Sequence, residues 1–337
     1  MQKILVTGGL GFIGSHTVVE LQNAGFEVVI IDDLSNTTID VLNNITEITG
    51  IKPEFHLIDL RIKNDIKNFF DSNSIDGIIH FAAFKAVGES VHHPLDYYEN
   101  NIGSLVYLLQ EMKNRNLDNF IFSSSCTVYG QADELPITEN APTKPAESPY
   151  GNTKQIGEEI IKESCNAYNL NAIALRYFNP IGGHESIKIG ELPLGVPQNL
   201  IPFITQTAAG IRKELSVFGN DYPTEDGTAV RDYIHVVDLA KAHIAALQRL
   251  INKNNKTNFE FFNVGTGKGS SVLEVIQTFE NISRKKLNYR IVGRREGDIT
   301  AAYADTTIAN KELNWKTEKT LDEALDAAWK WQLKQQE

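Results

Sequence analysis

Residues 7–16 read TGGLGFIGSH, a glycine-rich turn that follows the apolar run KILV and leads into an amphipathic stretch. Gly8, Gly11 and Gly14 are spaced G-x-x-G-x-x-G. In such a turn the first glycine permits the tight bend, the second lets backbone approach a pyrophosphate, and the third lets a helix pack close to a strand. The N-terminus of that helix adds positive potential. The next apolar run, FEVVIID, ends at Asp32, eighteen residues beyond Gly14. A carboxylate there accepts from ribose hydroxyls and repels a 2′-phosphate. Strand, glycines, helix, strand and acid in this order predict a dinucleotide site for NAD rather than NADP.

The rhythm continues outward. KILVTGG, FEVVIID, PEFHLID, DGIIHFAA, NFIFSSS and AIALRYF are short and rich in β-branched or aromatic residues, with amphipathic stretches at 16–24, 66–71, 95–112 and 154–168 between them. That alternation predicts an α/β fold, a doubly wound parallel sheet of Rossmann type. After Asn179-Pro180 the period breaks into a Gly/Pro-rich region over 182–202. VVDLAKAHIAALQRL then reads as a long helix and FEFFNVG as a strand able to rejoin the first sheet. The expected organisation is an NAD-binding domain over 1–180 plus about 234–264, with a smaller mixed α/β domain over 181–233 plus about 265–337.

Composition excludes several classes. The 337 residues carry a net charge of −11 with basic residues scattered, which argues against a nucleic-acid footprint. No apolar run reaches membrane-spanning length, and an N-terminus that enters a strand at once gives the expectation of cytoplasmic residence. Cys126 and Cys165 have neither disulfide-framework nor zinc spacing, so both read as packing residues. His80, His92, His93 and His235 lack metal-ligand spacing, and no metal is expected. Trp315, Trp329 and Trp331 read as packing of a C-terminal helix.

SPYGNTK, residues 148–154, places Tyr150 and Lys154 at i and i+4, on one face of a helix that follows the strand ending in Ser123, Ser124 and Ser125. A free tyrosine has a pKa of about 10, so a base at neutral pH requires a shift of about 3 units, about 4 kcal/mol. One ammonium about 4 Å away supplies roughly that at an effective dielectric of about 20, and an oxidised nicotinamide adds positive charge. The pair is therefore expected to provide an available phenolate, with Ser125 hydrogen-bonding the same substrate oxygen.

TGGLGFIGSH, HFAAFKAVGESV, FSSSCTVYG, SPYGNTK, LRYFNPIG, FGNDYPTEDGTAVRDYIHVVDLA, REGD and LNW together resemble the extended short-chain dehydrogenase/reductase family, and within it the UDP-glucose 4-epimerases. The block over 218–240 is the most specific of these. The resemblance implies tightly bound NAD lined by Gly8, Gly11, Phe12, Ile13, Gly14, Asp32, Asn36, Asp59, Leu60, Phe81, Ala82, Ala83, Lys85, Asn100, Tyr150, Lys154 and Phe178. Asp59 would reach the adenine and Lys85 the pyrophosphate. It implies a UDP-sugar held by Asn179, Asn199, Leu200, Phe218, Arg231, Tyr233, Arg295 and Asp298, beside Ser125 and Tyr150. Forked guanidinium groups suit a diphosphate; the structural alternative is that Arg231 and Arg295 form salt bridges to Asp232 or Asp298.

The implied reaction is C4 epimerisation of UDP-glucose and UDP-galactose through a 4-keto sugar. Related 4,6-dehydratases carry an Asp-Glu pair just after the strand-end hydroxyl residue; Cys126 and Thr127 stand there, which disfavours dehydration. Ala302 stands where some epimerases carry a tyrosine, implying room for UDP-GlcNAc and UDP-GalNAc unless Tyr303 fills the gap. Relatives pair the helices at 95–112 and 154–168 in a four-helix seam, implying a homodimer. The alternatives are a non-catalytic NAD-binding sensor, a net oxidoreductase with exchangeable cofactor, or another UDP-sugar-modifying enzyme of the same fold.

Overall fold

The computed structural model describes residues 1–295 and 298–336. Glu296 and Gly297 of the REGD motif lie outside the described residues. Seven strands form one parallel sheet: β1 (Lys3–Thr7), β2 (Glu27–Asp32), β3 (Glu54–Leu57), β4 (Gly77–His80), β5 (Asn119–Ser123), β6 (Asn171–Tyr177) and, after four short strands, β11 (Phe259–Val264). The intervening strands are β7 (Asn179–Ile181), β8 (Leu215–Phe218), β9 (Val230–Arg231) and β10 (Tyr233–His235); β12 (Ser270–Ser271), β13 (Tyr289–Val292) and β14 (Ala301–Ala302) follow.

The order in the large sheet is β11-β6-β5-β4-β1-β2-β3. The chain therefore winds outward from β1 in both directions, and a crevice opens beyond the carboxyl ends of β1 and β4. Alternation along the strands divides the core into two faces. Ile4, Val6, Ile30, Ile79 and Ile121 pack on one side with the helices Phe12–Asn23 and Val236–Ile251. Leu5, Val29, Ile31, Ile78 and Phe122 pack on the other with Lys63–Ser72, Ser104–Arg115 and Pro149–Ala167. This is the expected doubly wound sheet, and a third core containing Ile204, Val217, Phe279, Leu325 and Trp329 forms the smaller C-terminal body.

Two local features differ from the sequence reading. The stretch at 95–112 is not one helix: Pro94–Tyr98 passes through a π-turn, Glu99–Gly103, into Ser104–Arg115. The widened turn has a cause in Asn101, whose side chain accepts from Phe84 N and donates to Phe84 O and Thr153 Oγ1. The tryptophans also part company. Only Trp329 packs in the C-terminal core; Trp315 belongs to the core of the large sheet, with Nε1 donating to Asp238 O at 3.0 Å.

The glycine turn has little tolerance. Gly8 adopts φ +67, and a Cβ on Gly14 would lie 2.1 Å from Gly8 O. Replacing Gly14 by alanine forces the helix Phe12–Asn23 off β1, and Gly14→Ala is expected to lower the unfolding free energy by about 1–3 kcal/mol, measured by urea denaturation.

Candidate active site

The first turn of the helix Phe12–Asn23 is capped by Gly11 with no side-chain hydrogen bond, so its N–H groups face the crevice without a competing side-chain acceptor at the cap. Asp32, at the end of β2, is buried. Its carboxylate accepts from Leu10 N and Leu34 N, each at 3.0 Å, which fixes the glycine turn against β2. Burial raises its pKa and the backbone donors pull the other way. Gly8 is needed because a Cβ there would meet Ala82 N at 2.8 Å, so the turns after β1 and β4 touch.

A cavity of about 870 Å³ starts at this turn and runs along the sheet edge. It is lined by Gly8, Gly11, Phe12, Ile13, Gly14, Asp32, Asn36, Asp59, Leu60, Phe81, Ala82, Ala83, Lys85, Asn100, Tyr150 and Lys154. Phe178 does not line it; it is buried in a cluster with Val128, Tyr129 and Ala302. Asp59 is held by Arg61, which donates from Nε at 3.0 Å and Nη2 at 2.7 Å and keeps the carboxyl below its usual range. Lys85 pairs with Glu191 at 3.4 Å. The turn geometry, a helix start whose Gly11 cap has no side-chain acceptor and the Asp32 carboxylate fit a dinucleotide laid along this cavity.

At the far end, Ser148 caps the helix Pro149–Ala167 by accepting from Gly151 N at 3.1 Å, with Pro149 in the first turn. That start fixes the face carrying Tyr150 and Lys154. Lys154 Nζ donates to Ser123 O at 2.7 Å, and lies 5.8 Å from the centre of the Tyr150 ring. Ser125 caps the short helix Cys126–Tyr129, its hydroxyl accepting from Thr127 N; it does not line the cavity, but it favours the ionised form of the Tyr150 phenol.

The electrostatics correct the sequence reading. Tyr150 is buried, and burial pushes its phenol well above the ordinary value; Ser125 opposes this only in part. Burial also lowers Lys154 to about 8. The ammonium is committed to the Ser123 carbonyl, so Lys154 alone does not bring the phenol near neutrality.

The residues assigned to the nucleotide sugar gather on the C-terminal body. Asn179 of β7 and Tyr233 of β10 are register partners, as are Arg231 of β9 and Ala302 of β14. Arg231 pairs with Asp298, not with its neighbour Asp232, whose carboxylate turns to Thr266, Gly267 and Ala304. Arg295 reaches Asp298 at 3.6 Å and lies over the exposed Phe218 ring, 5.8 Å from its centre. Asn199 lines the cavity and donates to Glu191 at 2.6 Å, and Leu200 opens the next helix. Ala302 is buried beside Phe178, whereas Tyr303 lies against Gly269, where a Cβ would come 3.0 Å from its ring.

Sequence reasoning missed Glu191, which touches both Lys85 and Asn199 and whose carbonyl accepts from Trp331 Nε1 at 3.0 Å. Nothing in the spacing around Glu191 marks it. It also missed Glu158 and Arg176, although a charged residue inside the apolar run AIALRYF was a signal.

Comparison with known proteins agrees with this geometry. A family profile described as GDP-mannose 4,6 dehydratase matches residues 5–327. A UDP-glucose 4-epimerase of Drosophila melanogaster is 48% identical over 98% of this chain and 96% of its own. The chain belongs to the UDP-glucose 4-epimerase family. Members of known structure include the Stenotrophomonas maltophila UDP-glucose-4-epimerase with bound NAD and formylated UDP-arabinopyranose, at TM-score 0.96 and 45% identity, covering 100% of this chain and 99% of that one. Another is the Bifidobacterium longum epimerase in complex with NAD+ and UDP, at TM-score 0.94 and 46% identity, with 99% and 98% covered. The family is one of isomerases acting on carbohydrates. The dehydratase description covers the wider fold: here Cys126 and Thr127 follow Ser125, and burial pushes the Cys126 thiol up to about 12, so no acid–base pair stands there.

The low proton affinity of Lys154 has a measurable consequence. Its ordinary value of 10.5 falls to about 8 on folding, so the unfolded chain binds more protons between those limits. The charged, buried lysine therefore costs stability below pH 8, and the cost fades as pH rises through 8 to 10.5. Relative to Lys154→Met, the wild-type unfolding free energy is expected to climb over this window by up to about 1.4 kcal/mol per pH unit, read from denaturation curves at each pH.

Proposed function

We propose that this protein interconverts UDP-glucose and UDP-galactose at C4, and UDP-GlcNAc and UDP-GalNAc as well, with NAD held along the cavity from Gly8 to Lys154. The observation that carries the reading is that Tyr150 and Lys154 line the same cavity as the glycine turn and Asp32, with Lys154 tied to Ser123 O on the strand that leads into Ser125. NAD, when bound, supplies the hydride acceptor and donor and a positive ring charge. Tyr150 Oη takes the 4′-hydroxyl proton and later returns it, while Ser125 holds the same sugar oxygen. Lys154 anchors the Tyr150 helix to β5 through Ser123 O and places positive charge beside the phenol. The 4-keto sugar turns about its diphosphate link and regains hydrogen on the other face.

That turn requires a firm nucleotide grip and a loose sugar pocket. Arg231, Arg295, Asn179, Asn199, Leu200, Phe218 and Tyr233 provide the grip in this reading, with Asp298 orienting both guanidinium groups. Asp298 takes one nitrogen of each guanidinium, which leaves further N–H donors on both arginines for a diphosphate. In this reading the small Ala302, buried beside Phe178, stands behind the sugar end, and Tyr303 turns its ring to Gly269. This supports room for an N-acetyl group.

The NAD and UDP-sugar are assigned to the two bodies as the sequence divides them, 1–180 plus about 234–264 and 181–233 plus about 265–337. Pairing of the helices around 95–112 and 154–168 across a two-fold axis gives the proposed homodimer, and sedimentation of the 37.6 kDa chain as a monomer overturns that part. Cytoplasmic residence suits an acidic chain using nucleotide sugars; among the described residues no helix is long and apolar enough to cross a membrane.

The activity is tested by incubating the pure protein with UDP-galactose or UDP-GalNAc and resolving the C4 epimers. Both are expected to turn over without accumulating NADH, and Tyr150→Phe to lose about 10²-fold or more in rate. Ala302→Tyr is expected to lose the N-acetyl sugars while keeping UDP-galactose; an unchanged ratio removes Ala302 as the specificity residue.

A further inference from the structure

Beneath the reacting groups lies a second set of buried charges that the chemistry above does not use. Glu158 sits four residues beyond Lys154 on the helix Pro149–Ala167, and is buried with Arg176 of β6. The guanidinium donates to the carboxylate from Nε at 3.0 and 3.2 Å and from Nη2 at 2.5 Å. Ser124 Oγ donates to Glu158 Oε1 at 2.5 Å. Arg176 Nη1 donates to Tyr129 Oη at 2.9 Å, and that hydroxyl donates to Asn263 Oδ1 at 2.7 Å. Ser124 directly precedes Ser125, and Tyr129 ends the short helix that Ser125 caps. Both flanks of Ser125 and the helix bearing Tyr150 and Lys154 are thus tied to one ion pair.

Stability alone does not call for such a pair, because desolvating two charges offsets most of their attraction. We propose that Glu158 and Arg176 are positioning residues: together they hold the Ser125 segment against the helix that bears Tyr150 and Lys154, and Glu158, one turn beyond Lys154 on that helix, acts as counter-charge to its ammonium. This rests on the epimerase reading. The groups facing Lys154 leave little else to do so. Tyr150 lies on its own helix, Ser123 O and the Phe122 ring come from β5, and His80 comes from β4. Tyr177 of β6 shares a hydrogen bond with the Ser123 hydroxyl at 2.7 Å. Burial holds His80 neutral, its pKa near 3, and raises both phenols. Glu158 acts on Lys154 in the opposite, raising direction. Glu158 in turn faces Arg176 and Ser124, so Glu158→Gln removes an anion and leaves a buried cation uncompensated. Both changes drive the proton off Lys154.

The test is the pH dependence of UDP-galactose epimerisation by the full-length protein, with kcat and KM separated. Glu158→Gln is expected to move the alkaline limb of kcat down by about one pH unit or more and to cut kcat about tenfold at its optimum, with KM changed less than about twofold. Glu158→Gln with Arg176→Gln removes both charges and is expected to return the limb toward wild type while kcat stays low. Ser124→Ala keeps the charges but cuts one tie, and should lower kcat about three- to tenfold with the limb unmoved. An unshifted limb in Glu158→Gln overturns the charge role, and wild-type kcat in Ser124→Ala overturns the positioning role even if the Glu158 variants fail to fold. A wild-type protein that turns over neither UDP-sugar sinks the epimerase reading itself, whereas active wild type with unaltered variants sinks only this proposal.

Discussion

The C-terminal side of the site depends on one buried carboxylate. Asp232 has no exposed surface, and its two oxygens are saturated by Thr266 N, Thr266 Oγ1, Gly267 N and Ala304 N at 2.6 to 3.2 Å. Its backbone donates to Ala302 O and accepts from Asn179 N. Three segments distant in sequence, at 179, 266–267 and 302–304, therefore meet on one residue. A buried anion is tolerable only with this number of donors, so each segment is held in place by the demand to satisfy it. Gly265 is glycine for the same reason, since a Cβ there would lie 2.4 Å from Asp232 Oδ2. Because Asp232 faces inward, strand alternation turns Arg231 the other way, to Asp298.

The two ends of the cavity are built on different principles. At the dinucleotide end, Gly8, Gly14 and Ala82 bring backbone within contact distance of backbone, and there is no side-chain freedom left to lose. At the end assigned to the sugar, the β9, β12 and β14 strands are two residues each, and position comes from hydrogen bonds to Asp232 rather than from a long ladder. A rigid cradle beside a short-stranded, side-chain-built wall suits a cofactor that stays and a sugar that must turn.

This contrast also explains what was legible in the sequence. The large sheet could be read because its strands have alternating faces and its turn is written in glycines, both local signals. The Tyr150–Lys154 face followed from helical spacing. The π-turn at Glu99–Gly103 was not legible, since its cause is Asn101 meeting Phe84 and Thr153, contacts set by tertiary packing. The partner of Arg231 could not be chosen between Asp232 and Asp298 from spacing; it was settled by which face of β9 the Asp232 knot takes. Glu191 was invisible for a similar reason, because its meaning lies in two residues far away in the chain, Lys85 and Asn199.

The electrostatics of the Tyr150 pair show most clearly why residue identity is an incomplete guide to chemistry. Spacing places an ammonium near a phenol, and Coulomb attraction favours ionising both. Burial acts on the same two groups with the opposite sign, raising the phenol and lowering the amine, so that both lean toward their neutral forms. The outcome depends on what surrounds them, which spacing does not report. Ser123 O takes the ammonium directly, Ser125 favours the phenolate, and Glu158 favours the ammonium from one turn away. In the proposed mechanism, a phenol buried in this way serves as base only when positive charge and a hydroxyl substrate arrive together, which confines proton abstraction to the loaded site.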